Sequence, residues 1–276
     1  MTINETITLS NGVRMPLLGL GVFQMKQGGE VLNAVRAALE AGYRHIDTAE
    51  GYRNEEEVGQ ALAESGVPRS EVWVTTKLSN DRQGYETTKA ACEDSLRKLR
   101  LDQVDLYLMH WPFDETMADT WRAMQELRDE GKCRAIGVSN FSVKRFEFFF
   151  TLTDEAPAVN QVELHPFNYR PDLLELHRAK GIATEAYSPL TRAQRFDDPT
   201  LVALAEKHGK TPAQILIRWD LQHGIVTIPK SSHKERIIEN ADVYDFALED
   251  EEVTQLDGLA QDYWAITWRP DPDGWY

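Results

Sequence analysis

Residues 44–55 read R-H-I-D-T-A-E-G-Y-R-N-E, and the rest of the chain is interpreted outward from them. A short apolar stretch closes on an acid, Asp47, and a phenol, Tyr52, follows five residues later. An acid ending a strand, with a phenol on the next loop, suits the C-terminal mouth of an α/β barrel, where strand ends from all round the sheet converge. If that is the fold, other strands must deliver polar groups to the same mouth.

They do. Strand-like apolar runs occupy residues 17–23, 43–47, 72–77, 104–110, 135–139, 158–162, 182–187 and 225–228. Helical patterns lie between or beyond them at 30–40, 54–64, 85–99, 118–130, 143–151, 171–179, 199–207, 212–222, 234–240 and 250–260. Eight strands alternating with helices predict a parallel sheet, and eight is the number that closes a (β/α)8 TIM barrel. The rival is an open doubly wound sheet, which would carry G-x-G-x-x-G after its first strand. Here the run is G-L-G-V-F-Q from Gly19, which lacks the third glycine. Before the first strand, residues 6–16 alternate around Asn11-Gly12, a hairpin signal. After the last helix, Y-W-A-I-T-W-R-P-D-P-D-G-W-Y from Tyr263 predicts a C-terminal tail docked over the barrel mouth.

The chain has 276 residues, with 30 Lys and Arg against 45 Asp and Glu, a net charge of −15. About 250 residues is typical of one such barrel, so a single domain over residues 1–276 is expected. The acidic balance argues against a general nucleic-acid or anionic-membrane surface and leaves a small molecule as the expected partner. Two cysteines, Cys92 and Cys133, without a C-x-x-C motif, suggest neither a disulfide framework nor a zinc ribbon. M-T-I-N-E-T at the start has no basic n-region or apolar core, and no apolar run is long enough to span a bilayer. A reduced, cytoplasmic monomer is the expectation.

The strand ends carry Asp47, Lys77, His110, Ser139 with Asn140, Gln161, Tyr187 with Ser188, and Lys230 with Ser231. Taken singly each has a duller explanation: Asp47 as a helix cap, Lys77 as a solvated lysine, His110 as a structural histidine, Tyr187 as core. One shared site explains them together. A buried lysine keeps its proton when an acid is paired with it, and its ammonium favours the phenolate of a neighbouring tyrosine. Asp47 would hold Lys77 charged, Lys77 would acidify Tyr52, and Tyr52 would donate a proton to a developing alkoxide. His110 would fix the carbonyl by hydrogen bonding. Proton donation to oxygen pairs with hydride delivery to carbon, which needs a reduced nicotinamide because no side chain supplies hydride. The segment P-K-S-S-H-K-E-R-I-I-E-N from Pro229 would take the phosphates, with Lys230, Ser231 and Arg236 near a helix start. A metal-dependent hydrolase ranks last: of the histidines only His110 is well placed, and His45 should point elsewhere in its strand. No metal is expected.

These motifs resemble the aldo-keto reductase superfamily, most of all its short bacterial members, the 2,5-diketo-D-gluconate reductases. H-I-D-T-A with Tyr and N-E, T-K, D-Q-V-D-L-Y-L-M-H-W-P, A-I-G-V-S-N-F, N-Q-V-E-L-H-P, A-Y-S-P-L and I-P-K-S with R-I-x-E-N carry the resemblance over nearly the whole chain. It implies a catalytic tetrad of Asp47, Tyr52, Lys77 and His110, with Tyr52 as proton donor. It implies Ser139, Asn140 and Gln161 on the nicotinamide carboxamide, Tyr187 stacked on the ring, and Ser188 and Leu190 on the pyrophosphate. Lys230, Ser231, Arg236, Glu239 and Asn240 would hold the adenosine and its 2′-phosphate, so NADPH is the implied donor. Small aldehydes, dicarbonyls such as methylglyoxal, or keto sugar acids are the implied substrates. Two departures concern the pocket. K-L-S-N stands where the family often has K-L-W-N, so Ser79 replaces a large wall, and the loop after His110 is short. Phe23, Trp111, Trp264 and Trp268 are the remaining candidate walls.

Overall fold

The computed structural model describes residues 2–267. It begins with an antiparallel hairpin, β1 (Thr6–Thr8) and β2 (Arg14–Pro16). The turn is the one Asn11-Gly12 announces: Gly12 takes the left-handed region at φ 82°, and its N–H bonds the carbonyl of Leu9 at 2.8 Å. The Asn11 amide also bonds the carbonyl of Arg134 at 3.0 Å.

Eight parallel strands follow: β3 (Leu20–Gly21), β4 (His45–Asp47), β5 (Trp73–Leu78), β6 (Val104–Met109), β7 (Cys133–Ser139), β8 (Val159–Glu163), β9 (Ala183–Tyr187) and β10 (Val226–Thr227). Their order in the sheet is their order in the chain. The ends meet through a parallel bridge between Leu18 and Thr227. There the Gly19 N–H bonds the Thr227 carbonyl at 2.9 Å, and the Thr227 N–H bonds that of Leu17 at 2.8 Å. The (β/α)8 fold is therefore closed. Gly19 and Gly21 explain themselves here. A Cβ on Gly19 would lie 2.7 Å from the ring of His45, and one on Gly21 would lie 2.9 Å from the carbonyl oxygen of Ile228. The G-L-G run is a strand stripped bare where β3 passes its neighbours, not a phosphate turn.

Around the strands lie α1 (Glu30–Glu40), α2 (Glu55–Glu64), α3 (Tyr85–Leu99), α4 (Asp114–Asp129), α5 (Val143–Leu152), α6 (Pro171–Lys180), α7 (Pro199–His208), α8 (Pro212–Gln222), α9 (Lys234–Ala241) and α10 (Asp250–Asp257). Burial follows the helical repeat: α1 buries Val31, Ala34, Val35 and Ala38. Starts are chemically marked, as where Thr211 and Gln214 form a capping box on α8 behind Pro212. The largest departure from expectation is α4, which starts at Asp114 rather than at residue 118. Asp114 and Glu115 in its first turn favour the positive end of the helix, a signal that apolar spacing alone does not register. Only Trp111, Pro112 and Phe113 then separate His110 from α4.

The tail is tied to the C-terminal side of the sheet. The N–H groups of Gln261 and Tyr263 bond the carbonyl of Phe167, both at 3.1 Å. Those of Ala265 and Ile266 bond the carboxylate of Glu163, the last residue of β8. Trp264 lies on this segment, partly buried; Trp268 and the rest of the expected tail lie outside the described residues. Among the described residues no helix is long and apolar enough to cross a membrane.

Candidate active site

Asp47 ends β4 opposite Thr75 of the adjacent strand β5, and Lys77 is the penultimate residue of β5, two residues beyond Thr75. Both side chains are buried, that of Lys77 completely. The Lys77 ammonium donates to both carboxylate oxygens of Asp47, at 2.6 and 2.8 Å, and to the carbonyl of Thr48 at 2.9 Å. Its remaining contact is the hydroxyl of Tyr52, 3.2 Å away. Tyr52 reaches this position from a single 3-10 turn, Glu50–Tyr52, followed by Arg53 in the left-handed region. The ring of His110, just past β6, meets the Tyr52 ring edge-on at 5.7 Å, and that of Phe23 lies 4.9 Å from it.

Burial is the largest single influence on Lys77 and opposes its charge, but Asp47, Tyr52 and Glu185 together outweigh it and the ammonium is held above its ordinary range. Burial, and next the Lys77 charge, push the His110 imidazole down to about 3, so it is neutral at ordinary pH. For Tyr52 the expectation of a net acidic phenol is corrected. Burial raises it more than the Lys77 ammonium lowers it, and the phenol stands above its usual value. Lys77 thus stabilises the phenolate relative to an equally buried tyrosine without making it the resting form.

The ends of β6 to β9 are laced together. Asn140, at φ 66°, donates to the carbonyl of His110 at 2.9 Å and to the Ser139 hydroxyl at 3.1 Å. Ser139 donates to the carbonyl of Gln161 at 2.8 Å, and the Tyr187 hydroxyl to the side-chain oxygen of Asn140 at 2.8 Å. This fixes the partly exposed Tyr187 ring at the mouth. Gln161 also reaches inward, donating to Asp47 at 2.8 Å and to Glu185 at 2.9 Å.

Lys230, Ser231 and Arg236 follow β10, the cations exposed and Ser231 buried. His233 starts α9 with no side-chain cap, which leaves the first N–H groups of this eight-residue helix without a capping side chain. Asn240 is buried, while Glu239 accepts from the Thr211 hydroxyl at 2.8 Å and so packs toward α8. Between the two groups Ser188 sits at φ 50°, and Leu190 accepts the Ala193 N–H at 2.7 Å. Arg192 bonds Gln24 at 3.0 Å, joining the loops after β9 and β3 across the end of β10. Of the pocket walls, Phe23 is 42% exposed and Trp111 only 6%. Ser79 turns its hydroxyl to Asp81 at 2.6 Å.

Two further polar residues lie buried in the barrel strands. His45 does not point elsewhere: two residues before Asp47, it shares its face one layer down, 3.2 Å from the Thr75 hydroxyl. Glu185 was missed. It stands two residues before Tyr187, so the same period of two would have placed it inside the barrel.

The donor set suits a dinucleotide: amides and a flat phenol ring for a carboxamide-bearing heterocycle, then cations and a bare helix start for phosphate. Comparison with known proteins agrees. Residues 17–261 match the model of the aldo/keto reductase family. The chain is 50% identical over 261 residues to the glyoxal reductase of Bacillus subtilis (strain 168), covering 95% of each. A crystal structure of an aldo-keto reductase from a Medee basin deep-sea metagenome library superposes with a TM-score of 0.93 at 44% identity, over 97% of this chain and 99% of that one. The Bombyx mori aldo-keto reductase in complex with NADP gives 0.90 at 39% identity, over 96% of each. The chain belongs to the aldo/keto reductase family, whose members are oxidoreductases using a nicotinamide cofactor.

Proposed function

Taking the chain as an aldo/keto reductase, we propose that it reduces the carbonyl of small aldehydes, dicarbonyls or keto sugar acids to alcohols, with NADPH as donor and Tyr52 as proton donor. The observation that carries this is the Lys77 ammonium, bonded at once to the Asp47 carboxylate and the Tyr52 hydroxyl at the barrel mouth. NADPH, when bound, supplies hydride to the carbonyl carbon. The chain does the rest. The neutral His110 ring, beside Tyr52, hydrogen-bonds and orients the carbonyl oxygen. Tyr52 then gives its proton to that oxygen as negative charge builds there. An alkoxide is a far stronger base than a phenolate, so a phenol with a raised pKa still donates. Lys77 stabilises the phenolate left behind, and Asp47 keeps Lys77 charged.

Ser139, Asn140 and Gln161 would hold the carboxamide and Tyr187 the ring face. Ser188 and Leu190 would face the pyrophosphate. Lys230, Ser231, Arg236 and Asn240 would hold the adenosine and its 2′-phosphate, with Glu239 as their support through Thr211. With Ser79 small and the connection to α4 short, Phe23 is the main aromatic wall facing Tyr52. Among these substrates, likeness to a relative named glyoxal reductase supports small dicarbonyls for this chain. The test is NADPH oxidation with glyoxal, methylglyoxal and 2,5-diketo-D-gluconate. Tyr52→Phe is expected to lower turnover by roughly a thousandfold with NADPH affinity retained. Full turnover in that variant contradicts the proton-donor role.

A further inference from the structure

Beneath the mouth the barrel interior holds a second carboxylate. Glu185, in the middle of β9, is completely buried. Its Oε2 accepts from the same Gln161 nitrogen that donates to Asp47, at 2.9 and 2.8 Å. One amide therefore ties the two acids together. Among the described residues its Oε1 has no hydrogen-bond partner, and it lies 3.5 Å from Nε2 of His45. The titratable groups facing it are Asp47 and His45 from β4, Lys77 from β5 and Tyr52 beyond β4. Its ladder partners, Gln161 of β8 and Val226 of β10, are uncharged. Lys77 is already matched by Asp47, so an ionised Glu185 would leave the interior with one uncompensated negative charge.

We propose that Glu185 is a positioning residue for the Tyr52–Lys77–Asp47 relay: through the Gln161 amide that it shares with Asp47 it keeps both in place, and as a buried acid with no cation of its own it serves the relay without adding charge to it. This rests on the proton-donor reading of Tyr52. Burial and the like charge of Asp47 lift the Glu185 carboxyl to about 8. The His45 imidazole beside it is pushed down to about 3, mainly by burial, so the proton resides on the acid. When Glu185 does ionise, its charge opposes the Tyr52 phenolate, and Tyr52 keeps its proton to higher pH.

The test is the pH profile of kcat for carbonyl reduction in wild type, Glu185→Gln and Glu185→Leu. Gln copies the neutral acid, accepting from Gln161 and presenting an N–H toward His45; Leu removes both contacts. Leu is expected to lower kcat about tenfold through a misplaced Gln161 and Asp47, with Gln restoring most of the loss. In Gln the alkaline limb should begin about half a pH unit lower, because no charge appears at Glu185 to hold the Tyr52 proton. Infrared difference spectra should show a carboxylic-acid C=O band lost on titration through pH 8 in wild type and absent from both variants. If Gln fails to fold, wild type against Leu still decides the band. A Gln variant as impaired as Leu, an unshifted limb, or no such band overturns the proposal. Turnover surviving in Tyr52→Phe would instead remove the proton-donor reading, with the infrared band unaffected.

Discussion

Two buried aspartates two strands apart take opposite parts. Asp105 lies near the start of β6, at the floor of the barrel, and is satisfied from three sides. Arg69 donates at 2.7 Å, Arg134 at 2.8 Å and the Val74 N–H at 2.9 Å. Both arginines are partly exposed, so water shares the charge. Asp47, at the mouth, faces a lysine with no exposure at all, and beyond the Thr48 carbonyl that lysine reaches the Tyr52 hydroxyl. The floor acid ends its own network, whereas the mouth acid passes its influence to a group that can react. Burying an ion pair is weak evidence of stabilisation; what separates the two is whether a titratable hydroxyl stands at the end of the chain of contacts.

The sharpest way to break the comparison is to remove one partner at each end. Lys77→Met leaves Asp47 buried without its cation. It is expected to cost roughly a hundredfold or more in turnover and about 3–5 kcal/mol in stability. Asp105→Asn is expected to cost about 2 kcal/mol while turnover per folded molecule stays near wild type. Denaturant midpoints and kcat measured side by side on both variants decide this; a large rate loss in Asp105→Asn would erase the distinction. Smaller in effect is Arg236→Ala, which should raise KM for NADPH about tenfold more than KM for NADH. Equal changes would remove Arg236 from the 2′-phosphate.

A separate, pH-dependent effect comes from two other buried groups, one on β4 and one on α6. His45 and His177 are buried, and burial pushes each down to about 3 from an ordinary 6.5. An unfolded chain therefore takes up protons that the folded chain refuses. Stability is complete above pH 6.5 and falls as pH drops toward 3, by about 1.4 kcal/mol per unit for each histidine. Denaturant midpoints followed down this range check the slope, and His177→Gln should reduce it.

Much of the fold was legible because apolar runs, turn residues and capping residues each mark their own element. The strand ends were legible for the same reason: a polar residue closing an apolar run is conspicuous, as with Asp47 and Lys77. What lay one layer deeper was not. Glu185 sits inside A-T-E-A-Y, where a lone acid reads as solvated, and His45 was assigned away from the site. Both follow from the two-residue period of a strand, but only once closure of the barrel makes that face interior. The Tyr52 proton balance was illegible for another reason, since a sequence indicates a neighbouring charge and not the degree of burial that opposes it.

The most direct test of the coupling between Lys77 and Tyr52 is a double-mutant cycle in kcat, with Tyr52→Phe, Lys77→Met and both together. If Lys77 acts on the reaction through the Tyr52 proton, its removal should cost little further rate once Tyr52 is Phe, so the two losses fall far short of multiplying. Losses that multiply in full would show two independent contributions and contradict the relay.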